Sequence, residues 1–152
     1  LNLRLITFVK LIKINDMKTP SIVMTLLLVL MNGLIVAQTD ALTILPNGQK
    51  ALESLRDMLL SDSLPDLVLM DINMPVMDGK QTLQEIRSDL ELKHLPVVML
   101  TTSNREKDVI ESYRLGVNAY LTKPVLDSEF IKTIQQLENF WFELVVLPNK
   151  IK

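Results

Sequence analysis

The sequence predicts an α/β domain wound on both sides of a parallel sheet. Three apolar runs carry that expectation. Leu67-Val68-Leu69-Met70 runs into Asp71, Val97-Val98-Met99-Leu100 into Thr101, and Ala119-Tyr120-Leu121-Thr122 into Lys123-Pro124. Runs without polar alternation read as strands buried on both faces, the habit of parallel sheets. Helical periodicity fills the gaps between them, and strands alternating with helices make βαβ units. Ligands of such sheets bind beyond the carboxyl ends of the strands. A carboxylate, a hydroxyl and an ammonium therefore converge on one sheet edge.

Each element has a local cause. Asn47-Gly48 marks a turn, after which Ala51, Leu52, Leu55, Met58 and Leu59 recur at helical spacing through Gln49 to Leu60. Asp62 to Pro65 breaks that helix before the Asp71 strand. Pro75 and Gly79 build the turn that follows, and a helix over Lys80 to Asp89 carries Leu83 and Ile86 on one face. The next strand starts at Pro96. Ser103 or Asn104 is expected to cap a helix from Arg105 to Leu115, and Gly116 to stop it in the left-handed conformation. Asp127 or Ser128 is expected to cap a last helix bearing Phe130, Ile131, Ile134 and Leu137. It should end close to Trp141, with Pro148 barring continuation. The tail Phe140-Trp141-Phe142-Glu143-Leu144-Val145-Val146-Leu147 is more apolar than one helix face needs. It either packs back on its own core or forms a patch for self-association or partner docking.

Composition narrows the chemistry. A chain of 152 residues suits one domain. Its formal charge of −2, without a basic cluster, argues against a nucleic-acid partner. It has no Cys, which excludes disulfides, thiolate catalysis and cysteine metal sites. The single histidine, His94, precedes a strand and has no nucleophile beside it, so no hydrolase triad can be assembled.

Met70-Asp71-Ile72-Asn73-Met74-Pro75 with Asp78-Gly79, then Leu100-Thr101-Thr102, then Lys123-Pro124, resembles the receiver domain of two-component response regulators. The three motifs stand in the family's order, each at a strand end, and the likeness runs from about Asn47 to Pro148, roughly two thirds of the chain. The Phe-Trp…Leu-Pro ending is similar to that of stand-alone receivers that partner phytochrome-type histidine kinases. Too few residues follow Pro124 for a DNA-binding or enzymatic output.

The resemblance implies a flavodoxin-like (βα)5 fold and a signalling protein rather than a multiple-turnover enzyme. It implies Asp71 as phosphoacceptor, taking its phosphoryl group from a sensor histidine kinase or phosphotransfer protein. Mg²⁺ would be held by Asp71, the backbone carbonyl of Asn73 and an acid of the first strand, here Asp16. Lys123 would pair with the phosphoryl oxygens, its bond to Pro124 being cis. Thr101 would be the switch hydroxyl, with Thr102 narrowing access, and Tyr120 the aromatic that turns inward with it. The surface from Arg105 to Leu137 would then meet a downstream protein, in the cytoplasm. A haloacid-dehalogenase-type phosphatase would want a second Asp two residues after the first, where Asn73 stands.

Residues 1–46 fit this frame poorly. A receiver should open on a strand ending in two or three acids, but the candidate strand Leu5 to Ile14 ends in Asn15-Asp16, and Asp40 sits too near the second strand to serve. From Thr19 to Thr39 there is no charge. That run reads as a secretory signal, a short span or a buried first helix; a domain that needs its first strand and helix favours the last. The codons of Met17-Lys18-Thr19, read two bases on, would give Glu followed by Asp or Asn, so a compensated frameshift is another account. A pseudo-receiver, with the fold but without Mg²⁺-dependent chemistry, is the alternative function, and an exported or membrane-anchored α/β protein is a third. The expected division is an atypical segment over 1–46, a receiver core over 47–148 and a tail over 149–152.

Overall fold

A computed structural model of the chain describes residues 9–12, 42–124 and 127–148. Strands β1 (Val9–Ile12) and β2 (Leu42–Leu45) come first, then helix α1 (Gly48–Leu60) and strand β3 (Leu67–Met70). Helix α2 (Gly79–Ser88), strand β4 (Val97–Thr101), helix α3 (Glu106–Arg114), strand β5 (Ala119–Thr122) and helix α4 (Asp127–Glu138) follow, and a π-helical stretch, Asn139–Leu144, extends α4. The strands form one sheet in the order β2-β1-β3-β4-β5. Asp16, Asp40 and the uncharged run over 19–39 lie outside the described residues, as do residues 149–152.

The interior strands explain why the apolar runs have no polar alternation. Leu67 and Leu69 of β3, with Val98 and Leu100 of β4, pack against Phe130, Ile134 and Leu137 of α4. Val68, Met70, Val97 and Met99 point the other way, onto Ala51, Leu52 and Leu55 of α1 and Leu83 and Ile86 of α2. Successive residues of a strand face opposite sides, so only strands covered on both sides are apolar throughout. The hydrophobic stabilisation of the domain is concentrated in these two layers.

One strand departs from the expected sheet. β3, β4 and β5 are parallel, with Val68 opposite Val97 and Val98 opposite Ala119. β1 instead runs antiparallel to both neighbours, Val9 lying opposite Met70 and Ile12 opposite Leu67. The sheet is thus mixed rather than wholly parallel. A four-residue strand has donors and acceptors on both edges and pairs in either direction; what it must satisfy is the period-two burial of its side chains. Leu11, opposite Val68, is buried in the α1/α2 layer.

Side-chain caps start α1 and α2. The Asn47 side chain accepts from the Lys50 N–H at 2.9 Å, and Asp78 with Gln81 forms a reciprocal capping box at α2. α3, by contrast, starts at Arg105 without a side-chain cap, so neither Ser103 nor Asn104 does the job expected of it. The Ser103 hydroxyl is committed to Asp108 instead. Asp127 is the first residue of α4 and not a residue preceding it. Gly116 stops the α3 turn at φ +89°, as expected. Past α4, Trp141 and Leu147 return to the core, as the packing reading of the tail expects, while Phe140, Leu144 and Val146 stay exposed.

The loop after Asp71 stores strain at Val76. Its φ is +67°, and the Met77 N–H bonds to the Pro75 carbonyl at 2.7 Å, closing a γ-turn around a β-branched residue. The Val76 side chain is exposed and gains little from packing. Val76→Gly is therefore expected to raise stability by about 1 kcal/mol, the left-handed strain removed less the chain entropy glycine adds. A thermal melt should move up by roughly 3 °C; an unchanged or lower midpoint would refute the strain.

Candidate functional site

Three strand ends deliver the predicted residues to one edge of the sheet. Asp71 follows the last residue of β3, Thr101 is the last residue of β4, and Lys123 follows the last residue of β5. Because these strands are parallel and in register, with Thr101 opposite Thr122, their ends meet. All three side chains are buried, at 3%, 0% and 1% exposure. The Lys123 ammonium Nζ lies 2.7 Å from Asp71 Oδ2, and the Lys123 N–H donates to the Thr101 carbonyl at 2.7 Å. The other carboxylate oxygen, Asp71 Oδ1, accepts from the Asn73 N–H at 3.1 Å. Burial pushes the Lys123 amine below its ordinary range, and the hydrogen bond and charge of Asp71 push it part of the way back.

The loop that leaves Asp71 is folded back tightly. The Gly79 N–H bonds to the Ile72 carbonyl at 2.9 Å, and a Cβ on Gly79 would sit 2.3 Å from the Asp71 carbonyl oxygen and 2.9 Å from Ile72 Cα. Those are backbone atoms, so the clash can be relieved only by moving the phosphoacceptor candidate's own main chain. Gly79→Ala is expected to cost about 3 kcal/mol, the upper part of the range for overpacking, read as a lower urea midpoint. A loss under about 0.5 kcal/mol, the scatter of ordinary surface changes, would show that the loop has room.

Thr101 and Tyr120 meet through a third residue. The Ser103 N–H donates to Thr101 Oγ1 at 3.3 Å, and the Tyr120 hydroxyl donates to the Ser103 carbonyl at 2.8 Å. Tyr120 is half-buried, and desolvation raises its phenol above the ordinary value. The peptide between Lys123 and Pro124 is trans, since no peptide among the described residues is cis; the cis bond implied by the family resemblance is absent. Lys123 reaches Asp71 with a trans bond, so this contact does not require the cis isomer.

For a metal, the described residues offer one carboxylate, Asp71, with the backbone carbonyl of Asn73 two residues on. No group of three acidic or histidine side chains that could hold an ion occurs among them. Asp16, the expected third ligand, is outside the described residues, and the described end of β1 at Ile12 pairs with Leu67, at the opposite end of β3 from Asp71. The donors present are hard oxygens, and Mg²⁺ commonly takes only one or two carboxylates and keeps several waters. They fit such an ion in kind.

Several residues that sequence reading passed over prove to be structural anchors. Asp108, buried in the first turn of α3, receives Lys80 Nζ at 2.8 Å, Arg105 Nε at 2.8 Å and the Ser103 hydroxyl. These contacts, Lys80 first and Ser103 next, hold its carboxyl well below the usual carboxylate range. The Arg87 guanidinium donates to the carbonyls of Lys93, Leu95 and Gly116 and to Asn118 Oδ1, tying α2 to the loops before β4 and β5. Partners 28 to 31 residues apart leave no periodic signal, although a carboxylate in a first helical turn is a weak one.

Known proteins are similar in sequence and fold. The model of the response regulator receiver domain family matches residues 24–135. The chain belongs to that family. It is 50% identical over 84 residues, 55% of its length and 57% of the relative's, to response regulator Rcp1 of Synechocystis sp.. It is 49% identical over 59 residues, 39% of its length and 45% of the relative's, to chemotaxis protein CheY-3 of Vibrio cholerae. Among solved structures, the phosphorylated cyanobacterial phytochrome response regulator RcpA is similar at 40% identity and a TM-score of 0.65, over 68% of this chain and 76% of the other. The Mn²⁺-bound form of Rcp1 is similar at 43% identity and a TM-score of 0.63, over the same shares. The chain spans about half the length of the curated relatives it matches. The expected α/β receiver fold is therefore shown, and so is the likeness to phytochrome response regulators.

Proposed function

We propose that Asp71 accepts a phosphoryl group from a phosphohistidine of a sensor histidine kinase or phosphotransfer protein, and that the acyl phosphate switches a protein-binding surface. The observation that carries this reading is the buried Asp71–Lys123 pair at 2.7 Å, with the end of β4 bonded to Lys123. A carboxylate oxygen of Asp71 attacks phosphorus, the phosphorus–nitrogen bond breaks, and its electron pair leaves on the imidazole, which takes up a proton. Such transfers ask a protein mainly for positioning and charge neutralisation. Lys123 supplies a fixed ammonium for the phosphoryl oxygens. Thr101 supplies a hydroxyl for one of them once it leaves the Ser103 N–H, and Tyr120 follows through Ser103. Asp71 and the Asn73 carbonyl would hold Mg²⁺, which when bound neutralises phosphoryl charge. The similar protein Rcp1 has a Mn²⁺-bound form.

The core of the receiver is proposed as residues 47–148. Its output face comprises α3, β5 and α4, where Ile110 and Tyr113 are exposed, and meets a downstream protein. The exposed Phe140, Leu144 and Val146 offer a second surface, for a homodimer. A cytoplasmic site of action agrees with the absence, among the described residues, of any helix long and apolar enough to cross a membrane. The pseudo-receiver is favoured by one observation, that the described residues supply a single carboxylate where an ion would bind.

Intact-mass analysis with Mg²⁺ and acetyl phosphate separates the two readings. The expected result is a gain of one phosphoryl group, stable in acid and lost in base, mapping to the peptide that contains Asp71. No gain in protein shown by circular dichroism to be folded, or a gain on another residue, would overturn the phosphoacceptor reading.

A further inference from the structure

We propose that Asp108 is a positioning residue for the switch, setting the placement of Thr101 and Tyr120 through the Ser103 hydroxyl; this rests on the roles given above to Thr101 and Tyr120.

Among the described residues, Ser103 is bonded to both. Its N–H meets the Thr101 hydroxyl at 3.3 Å, its carbonyl takes the Tyr120 hydroxyl at 2.8 Å, and its side chain is held by Asp108. The backbone here is irregular, between the end of β4 at Thr101 and the start of α3 at Glu106. An irregular segment takes its conformation from side-chain anchors, because no ladder of backbone bonds defines it. Asp108 is such an anchor: it is 2% exposed and sits in the first turn of a helix, which fixes its own position.

Asp108 is itself held from the other wall of the site. Lys80 Nζ bridges Asp108 at 2.8 Å and Glu111 at 2.6 Å. Lys80 directly follows Gly79, whose N–H closes the loop leaving Asp71. A chain of contacts thus runs from the Asp71 loop through Lys80 and Asp108 to Ser103, and from there to Thr101 and Tyr120. Its members have few alternative arrangements, since a buried carboxylate must keep its partners. Arg105, exposed at the rim, adds a further bond to Asp108 at 2.8 Å.

The test is a fluorine resonance on Tyr120. The chain has two tyrosines, so Tyr113→Phe protein labelled with 3-fluorotyrosine reports Tyr120 alone. In unphosphorylated protein, Asp108→Ala and Ser103→Ala are expected to shift that resonance in the same direction, and the double variant no further than either. Asp108→Asn, whose amide can still hydrogen-bond the Ser103 hydroxyl, should shift it less. Urea midpoints and circular dichroism confirm that each variant is folded. A folded Asp108→Ala with the parent resonance would overturn the proposal, as would Asp108→Asn shifting as far as Asp108→Ala. Failure of the switching role reads differently: the parent Tyr120 resonance would stay put while Asp71 gains its phosphoryl group from acetyl phosphate.

Discussion

Asp71→Asn is expected to take up no phosphoryl group and to lose about 3 kcal/mol of stability at neutral pH, because one partner of a buried ion pair is removed. The first effect follows from nucleophilicity, since an amide oxygen forms no acyl phosphate. The second follows from Lys123, buried at 1% exposure and 2.7 Å from Asp71. Asp71 is the influence that opposes desolvation of that ammonium, and asparagine keeps the acceptor but not the charge. The sign of the pH dependence is fixed by the direction of the shift. With the folded amine below its ordinary 10.5, the unfolded chain holds a proton that the folded one has released across the window between the two values. Stability therefore rises with pH in that window. In the variant the window extends further down, so its deficit against wild type should shrink between pH 7 and 10. Urea titrations at several pH values measure this. A variant as stable as wild type at pH 7 would show that Asp71 does not stabilise the Lys123 charge, and a phosphorylated variant would remove Asp71 from the chemistry.

Lys123→Ala should slow phosphoryl uptake from acetyl phosphate by roughly a hundred- to a thousandfold, the range found when a fixed donor to a developing charge is deleted. Little covalent work falls to the protein in such a transfer, so a lost ammonium is a lost share of the catalysis itself. Lys123→Arg should not restore the rate. The side chain is wholly enclosed, and a planar guanidinium does not fit where a compact ammonium lies 2.7 Å from its partner. Single-turnover phosphorylation of folded protein decides the matter; a loss under threefold would mean that the phosphoryl charge is met elsewhere.

How much of this is legible in the chain depends on the range of the cause. β3 over Leu67–Met70 and β4 over Val97–Thr101 fall where the apolar runs place them, because complete burial on two sides leaves a one-dimensional mark. The left-handed stop at Gly116 is equally local. The start of α3 is not legible, because the Ser103 hydroxyl has a competitor for its bond, Asp108, five residues on. The direction of β1 is hidden for another reason: pairing direction is written in the connections between strands, not in the four residues of the strand.

The sequence by itself determined the α/β class, the strand ends that carry Asp71, Thr101 and Lys123, and the family, since each depends on residue type and short-range pattern. Tertiary structure alone decided the antiparallel entry of β1, the enclosure of the Asp71–Lys123 pair, and the Lys80–Asp108–Ser103 contacts behind Thr101 and Tyr120. Those are meetings between residues distant in the chain, Val9 with Met70 across β1 and β3 and Asp71 with Lys123 at 52 positions apart, and pairing at such distance has no period for a sequence to display.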